Sequence, residues 1–192
     1  MSHTRPILFL ILALLPGLEA AAQAQEPTPA ATRTAGQKAV AFELASVFPV
    51  DDWRDVTGLG AGALLRGDWF VTSDLAVTAR AGYAQHLSTS TDGADFSTSE
   101  APFLLGAAYF FGSEPTRFYA AGEMGLVLLH AEIDSSDDAL DFSETDAKLG
   151  ATAGIGLRRG RADVRLTAFA PSITNANRAT GILFTVGFTF AR

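Results

Sequence analysis

From Lys38 onward, apolar side chains recur at every second position, in runs separated by polar stretches of unequal length. Side chains alternate sides along a strand, so each run has one greasy wall and one small or polar wall. The last run shows this most clearly. In Ala179–Arg192, Ile182, Phe184, Val186, Phe188 and Phe190 share one wall, while Gly181, Leu183, Thr185, Gly187 and Thr189 share the other. Eight strands are predicted in this way: Lys38–Phe48, Val56–Arg66, Leu75–Leu87, Ala101–Phe111, Phe118–His130, Thr145–Arg158, Ala162–Ala170 and Ala179–Arg192. Their lengths are close to the roughly 9–11 residues that a tilted strand needs to cross a bilayer. No helical period of comparable strength follows the N-terminal segment.

The two walls separate by chemistry. One carries Phe42, Leu44, Leu65, Leu75, Val77, Tyr83, Phe103, Leu105, Tyr109, Met124, Leu126, Ile155 and Leu166, among others. The opposite register carries Glu43, Arg80, Glu123, Lys148, Asp163 and Arg165. A charge at the bilayer midplane costs several kcal/mol, so the charged wall must face away from lipid and the greasy wall toward it. A soluble lipocalin-like carrier would reverse the two walls. The links also alternate: Gly67-Asp68, Gly112–Arg117 and Arg159–Arg161 mark one end, while the long Ser88–Glu100 and Ala131–Glu144 mark the other. This is the parity of an up-and-down barrel with short inner turns and longer outer loops. Phe48 and Trp53, Trp69 and Phe70, Tyr109–Phe111, and Phe118 with Tyr119 gather near predicted strand ends, where aromatics suit a membrane–water boundary.

The N-terminus reads as an export signal over residues 1–24. His3 and Arg5 precede an apolar run, Ile7–Leu15, too short to span a bilayer, and Ala22-Gln23-Ala24 supplies small-x-small before a cut near Gln25. Residues 25–37, rich in Pro, Thr and Ala, form a flexible lead-in to a barrel over residues 38–192. The chain has no cysteine, so an exported domain must hold itself together by burial or membrane insertion. Apolar residues make up 48% of the chain and mean hydropathy is +0.20, spread over alternating segments as in a transmembrane barrel. The net charge of −7 excludes a phosphate-contacting, nucleic-acid role.

With the strands placed, the chain resembles the small outer-membrane β-barrel domain family, which includes the transmembrane domain of outer membrane protein A and the opacity-type surface proteins. The residues that carry the likeness are Ala22-Gln23-Ala24, Tyr109-Phe110-Phe111-Gly112 before Phe118-Tyr119, and the closing Thr185-Val186-Gly187-Phe188-Thr189-Phe190. The resemblance implies an all-β, eight-stranded antiparallel transmembrane barrel behind a cleaved signal peptide. It also implies residence in the outer membrane of a Gram-negative envelope. The partners it implies are outer-membrane lipids, lipopolysaccharide and the barrel-assembly machinery, with the protein a monomer.

Two groups of residues carry candidate chemistry. Glu43, Glu123 and Asp163 balance Arg80, Lys148 and Arg165, which predicts a paired network filling a lumen only wide enough for side chains. The second group is acidic: Asp134, Asp137, Asp138 and Asp141 sit in the longest outer loop, as possible cation or partner contacts. That loop lacks the spacing and central Gly of an EF-hand, and neither a metal nor a cofactor is implied. His86 and His130 lie at the outer ends of strands, without the His-x-Ser-Asn run of lipid-modifying barrels, so no catalytic residue is assigned and no enzyme is expected. The expected role is structural, or surface contact through acidic loops. The alternatives are a lipid-modifying enzyme, a narrow transport path for small or apolar molecules, and the lipocalin-like carrier.

Overall fold

The computed structural model describes residues 34–50, 52–91, 94–112, 115–135, 142–175 and 180–191. Its strands are β1 (Lys38–Val50), β2 (Gly60–Phe70), β3 (Leu75–His86), β4 (Thr89–Thr91), β5 (Ala94–Phe111), β6 (Thr116–Ser135), β7 (Phe142–Arg159), β8 (Ala162–Ala170) and β9 (Thr180–Ala191). One helical turn, α1 (Trp53–Val56), lies in the first long link, and a 3-10 turn covers Ile173–Asn175. Every pairing is antiparallel. The sheet runs β3-β2-β1-β9-β8-β7-β6-β5, and pairing of β3 with β5 closes it. β4 is a short hairpin arm on β5, so the wall itself has eight strands. Closure leaves the eight-stranded wall without an edge, as a hydrocarbon surround demands.

The apolar wall predicted from the alternation faces outward. Leu105 is 66% exposed and Ile155 64%, in company with Phe42, Leu44, Leu65, Val77, Phe103, Met124, Leu166, Phe188 and Phe190. In β9, Ile182, Phe188 and Phe190 point out, while Leu183, Thr185 and Thr189 are buried inside. Toward the short-turn end, Trp69, Tyr109, Phe111 and Phe118 form an outward aromatic band, with the Phe111 and Phe118 rings stacked at 6.1 Å. The neighbouring Phe70, Phe110 and Tyr119 do not join it. Their parity turns them inward, where they are packed as one buried cluster. Trp53 likewise packs against an inner cluster, 5.4 Å from the His86 ring and 6.3 Å from Phe169.

Strand lengths differ from the sequence reading at the outer end. Polar stretches expected as loops continue the walls: β5 begins at Ala94, β6 runs to Ser135, and β7 begins at Phe142. At the other end β2 extends through Gly67-Asp68 to Phe70, and the chain turns only at residues 71–74. Gly160, at φ 57°, makes the tight reversal from β7 to β8. Residues 34–37 are tied to the barrel, with Gly36 N donating to Phe70 O at 2.7 Å and Phe70 N to Gln37 O at 2.9 Å. The remainder of the lead-in and the signal segment, residues 1–33, lie outside the described residues.

If the outer wall meets hydrocarbon, charge placement decides stability. Leu105→Arg is expected to cost about 2–4 kcal/mol of folding free energy, measured by denaturant unfolding in lipid vesicles. Glu144→Arg, at an exposed strand end, should change it by less than about 0.5 kcal/mol.

Candidate functional site

The lumen is layered from the short-turn end to the outer mouth. Phe70, Phe110 and Tyr119, with Ala76, Ala108 and Ala121, close the turn end. An ion-pair network fills the middle. Above it lies an apolar layer of Ala45, Val47, Leu64, Ala84, Leu104, Val127, Phe169 and Leu183. The mouth comes last, with a pocket of about 260 Å³ bounded in part by Trp53, His86, Glu100 and Lys148.

The network contains four arginines (Arg66, Arg80, Arg158, Arg165) and four carboxylates (Glu43, Asp68, Glu123, Asp163), none more than 4% exposed. Arg165 grips Glu123 with two parallel bonds of 3.0 Å, Nη1 to Oε1 and Nη2 to Oε2. The hydroxyls of Thr78 and Thr152 donate to the same carboxylate at 3.1 and 3.0 Å. Arg80 bridges Glu123, at 3.2 Å, and Glu43, at 2.7 Å. Arg66 then joins Glu43 at 2.7 Å to Asp163 at 3.0 Å, with Asp68 3.3 Å away. Arg158 links Asp163 at 2.7 Å and Asp68 at 2.8 Å. Tyr119 donates its hydroxyl to Asp163 at 2.7 Å. Gly156 makes that bond possible, because a Cβ there would lie 2.2 Å from the Tyr119 ring. Arg158 also lies over the Phe110 ring at 4.9 Å, coupling the network to the aromatic layer below.

Of the six predicted lumen charges, Glu43, Arg80, Glu123, Asp163 and Arg165 meet in this network. Lys148 does not. It is on the inward wall of β7 but near the mouth, half-buried, and pairs with Asp146 at 2.7 Å. The sequence reading missed Arg66, Asp68 and Arg158. Arg158 stands at the inner strand end beside the exposed Arg159 and Arg161, yet it is 2% exposed and points into the lumen. Two-residue periodicity could have found all three: Leu64, Arg66, Asp68 and Phe70 share one register, as do Thr152, Gly154, Gly156 and Arg158.

At the mouth, His86 Nδ1 lies 2.9 Å from the Gly58 carbonyl and its Nε2 lies 3.9 Å from Glu100 Oε1. His130 Nδ1 is 2.9 Å from the Thr145 hydroxyl on an exposed part of the wall. Asp137, Asp138 and Asp141 lie outside the described residues, as does the side chain of Asp134, whose backbone belongs to β6.

No family model matches the chain, and no curated protein matches its sequence. Solved structures do match. Ail, the attachment invasion locus protein of Yersinia pestis, is 13% identical with a TM-score of 0.60, over 82% of this chain and 100% of that one. A second structure of Ail, in complex with the heparin analogue sucrose octasulfate, is 14% identical with a TM-score of 0.57, over 82% and 100%. Neisserial surface protein A is 16% identical with a TM-score of 0.50, over 81% and 97%. At such identities the likeness is one of fold. The chain has the architecture of the small outer-membrane barrels, and its apolar outer wall is of the kind that meets hydrocarbon.

Glu123 pairs with two arginines at once. Glu123→Ala is expected to destabilise the barrel by about 3–5 kcal/mol, because Arg80 and Arg165 lose a shared buried partner. The double variant E123A/R165A should lose less than the sum of the single changes, as measured by a double-mutant cycle of unfolding in vesicles.

Proposed function

We propose that this protein is a closed, non-conducting outer-membrane barrel that acts through its acidic outer face. The eight interlocked charges of the lumen carry this reading, since an ion crossing the barrel would have to break several buried ion pairs at once. Export through the signal over residues 1–24, and insertion by the barrel-assembly machinery, bring the chain to its place. The lumen is then a structural core, and the working surface is what projects from the mouth.

That surface is acidic. Asp51, Asp52 and Asp55 belong to the first outer link, Asp92 and Asp95 to the second link and the strand start beside it, and Glu132, Asp134, Asp137, Asp138, Asp141 and Glu144 to the third link and the strand ends flanking it. Such a face attracts cations and cationic partners, and divalent ions on its carboxylates can bridge to lipopolysaccharide phosphates. It repels polyanions of the kind seen with Ail, so the heparin-analogue chemistry of that neighbour does not transfer to this chain.

Two measurements test this. Purified protein in planar bilayers should show no large, steady single-channel current, and such a current would overturn the closed-lumen reading. On immobilised heparin at physiological salt the protein should pass unretained, whereas retention would refute the acidic-face reading.

A further inference from the structure

Five carboxylates are buried among the described residues: Glu43, Asp68, Glu100, Glu123 and Asp163. Four have arginines against them. Glu100 has none. It is 3% exposed, borders the mouth pocket, and its Oε2 has no hydrogen-bond partner among the described residues. Leaving a buried carboxylate oxygen unmatched is costly, so such a group invites a ligand.

His86 faces it and is equally buried. The Gly58 carbonyl can only accept, so His86 Nδ1 carries the proton, and in the neutral ring Nε2 presents a lone pair. Nε2 has no hydrogen-bond partner among the described residues and stands 3.9 Å from Glu100 Oε1, beyond bonding reach. Two acceptors are thus held apart at one end of a pocket of about 260 Å³, a little below the usual range of about 300–1,000 Å³ for small-molecule sites. A nitrogen bearing two or three N–H groups can bridge them.

The rest of the pocket fits an ammonium with an apolar body. Trp53 and Leu129 supply an aromatic face and an aliphatic one. Lys148, the cation of the lining, is matched by Asp146 at 2.7 Å, which leaves the charges of Glu100 and Glu144 over. We propose that the outer mouth is a binding site for a small primary amine, its ammonium bridging Glu100 and His86 and its apolar part lying against Trp53 and Leu129. The site is independent of whether the lumen conducts.

The chain has two tryptophans, and Trp69 lies on the outer wall, so W69F leaves Trp53 as sole reporter. In this variant, folded in phosphatidylcholine vesicles, benzylamine is titrated at about pH 8, where an alkylammonium keeps its proton. Benzylamine should shift Trp53 emission saturably. Benzyltrimethylammonium, a cation without N–H donors, and benzyl alcohol, a neutral single donor, should each bind about tenfold more weakly or worse. Adding E100Q should weaken benzylamine by about tenfold while heat-modifiable gel mobility stays that of a folded barrel. The comparison of probes needs no change to Glu100, so it stands even if E100Q fails to fold. No saturable response to benzylamine would overturn the proposal, as would equal binding of the quaternary cation or a folded E100Q with unchanged affinity.

Discussion

Ionised groups cannot rest in hydrocarbon, and an eight-stranded lumen is too narrow to hold them in water. These two constraints leave one solution, in which each charge buried in the middle of the lumen meets an opposite charge there. The chain of contacts from Arg165 through Glu123, Arg80, Glu43, Arg66, Asp163 and Arg158 to Asp68 is that solution. It draws on β1, β2, β3, β6, β7 and β8. β5 and β9 contribute small residues at the same level. A Cβ at Gly106 would stand 2.8 Å from Glu123 Cγ, and one at Gly187 would stand 3.0 Å from Glu43 Cγ. Charged and missing side chains are therefore two halves of one packing arrangement, and the sheet must close in a single register for both to fit.

Because the network spans distant strands, it also rewards the correct order of pairing. Arg66 and Asp163 are separated by 97 positions in the chain, and Arg158 and Asp68 by 90. A strand shifted by one residue would send its apolar side chains into the lumen and its charges into lipid. The apolar outer wall is permissive by comparison, since any large hydrophobe serves there. Specificity resides inside and affinity for the membrane outside.

Much of this was legible because periodicity answers one question well, namely which wall a residue faces. Glu43 between Phe42 and Leu44, or Arg165 between Val164 and Leu166, has little choice. Periodicity does not give height along the barrel, and this is why Lys148 shares the inward wall with Arg158 yet stays with Asp146 near the mouth. Strand ends were harder. Gly67-Asp68 has the composition of a turn, and only the continuing alternation to Phe70 marks it as strand. At the outer end, strands rising beyond the apolar belt carry polar residues on both walls. Ser97–Glu100 and Ser143–Glu144 therefore look like loop even though the ladder continues through them. The aromatic pairs at strand ends divide by parity: Trp69 and Phe118 go out, while Phe70 and Tyr119 go in.

The same accounting of buried charge separates architecture from action. Fold alone does not assign a role, because one barrel can carry many surfaces. Below the apolar layer the described carboxylates are answered by arginine, hydroxyl or both, which is what a region selected for stability requires. Above that layer the pattern breaks at Glu100 and His86, where two acceptors face each other on rigid strands beside an aromatic ring. A barrel that neutralises charge so thoroughly in its middle could have placed an arginine beside Glu100 as well. Retaining a buried carboxylate with an unpartnered oxygen costs stability, and sites that sacrifice stability are where proteins hold residues for something other than folding. The mouth, rather than the lumen, is therefore where this chain's individual chemistry begins.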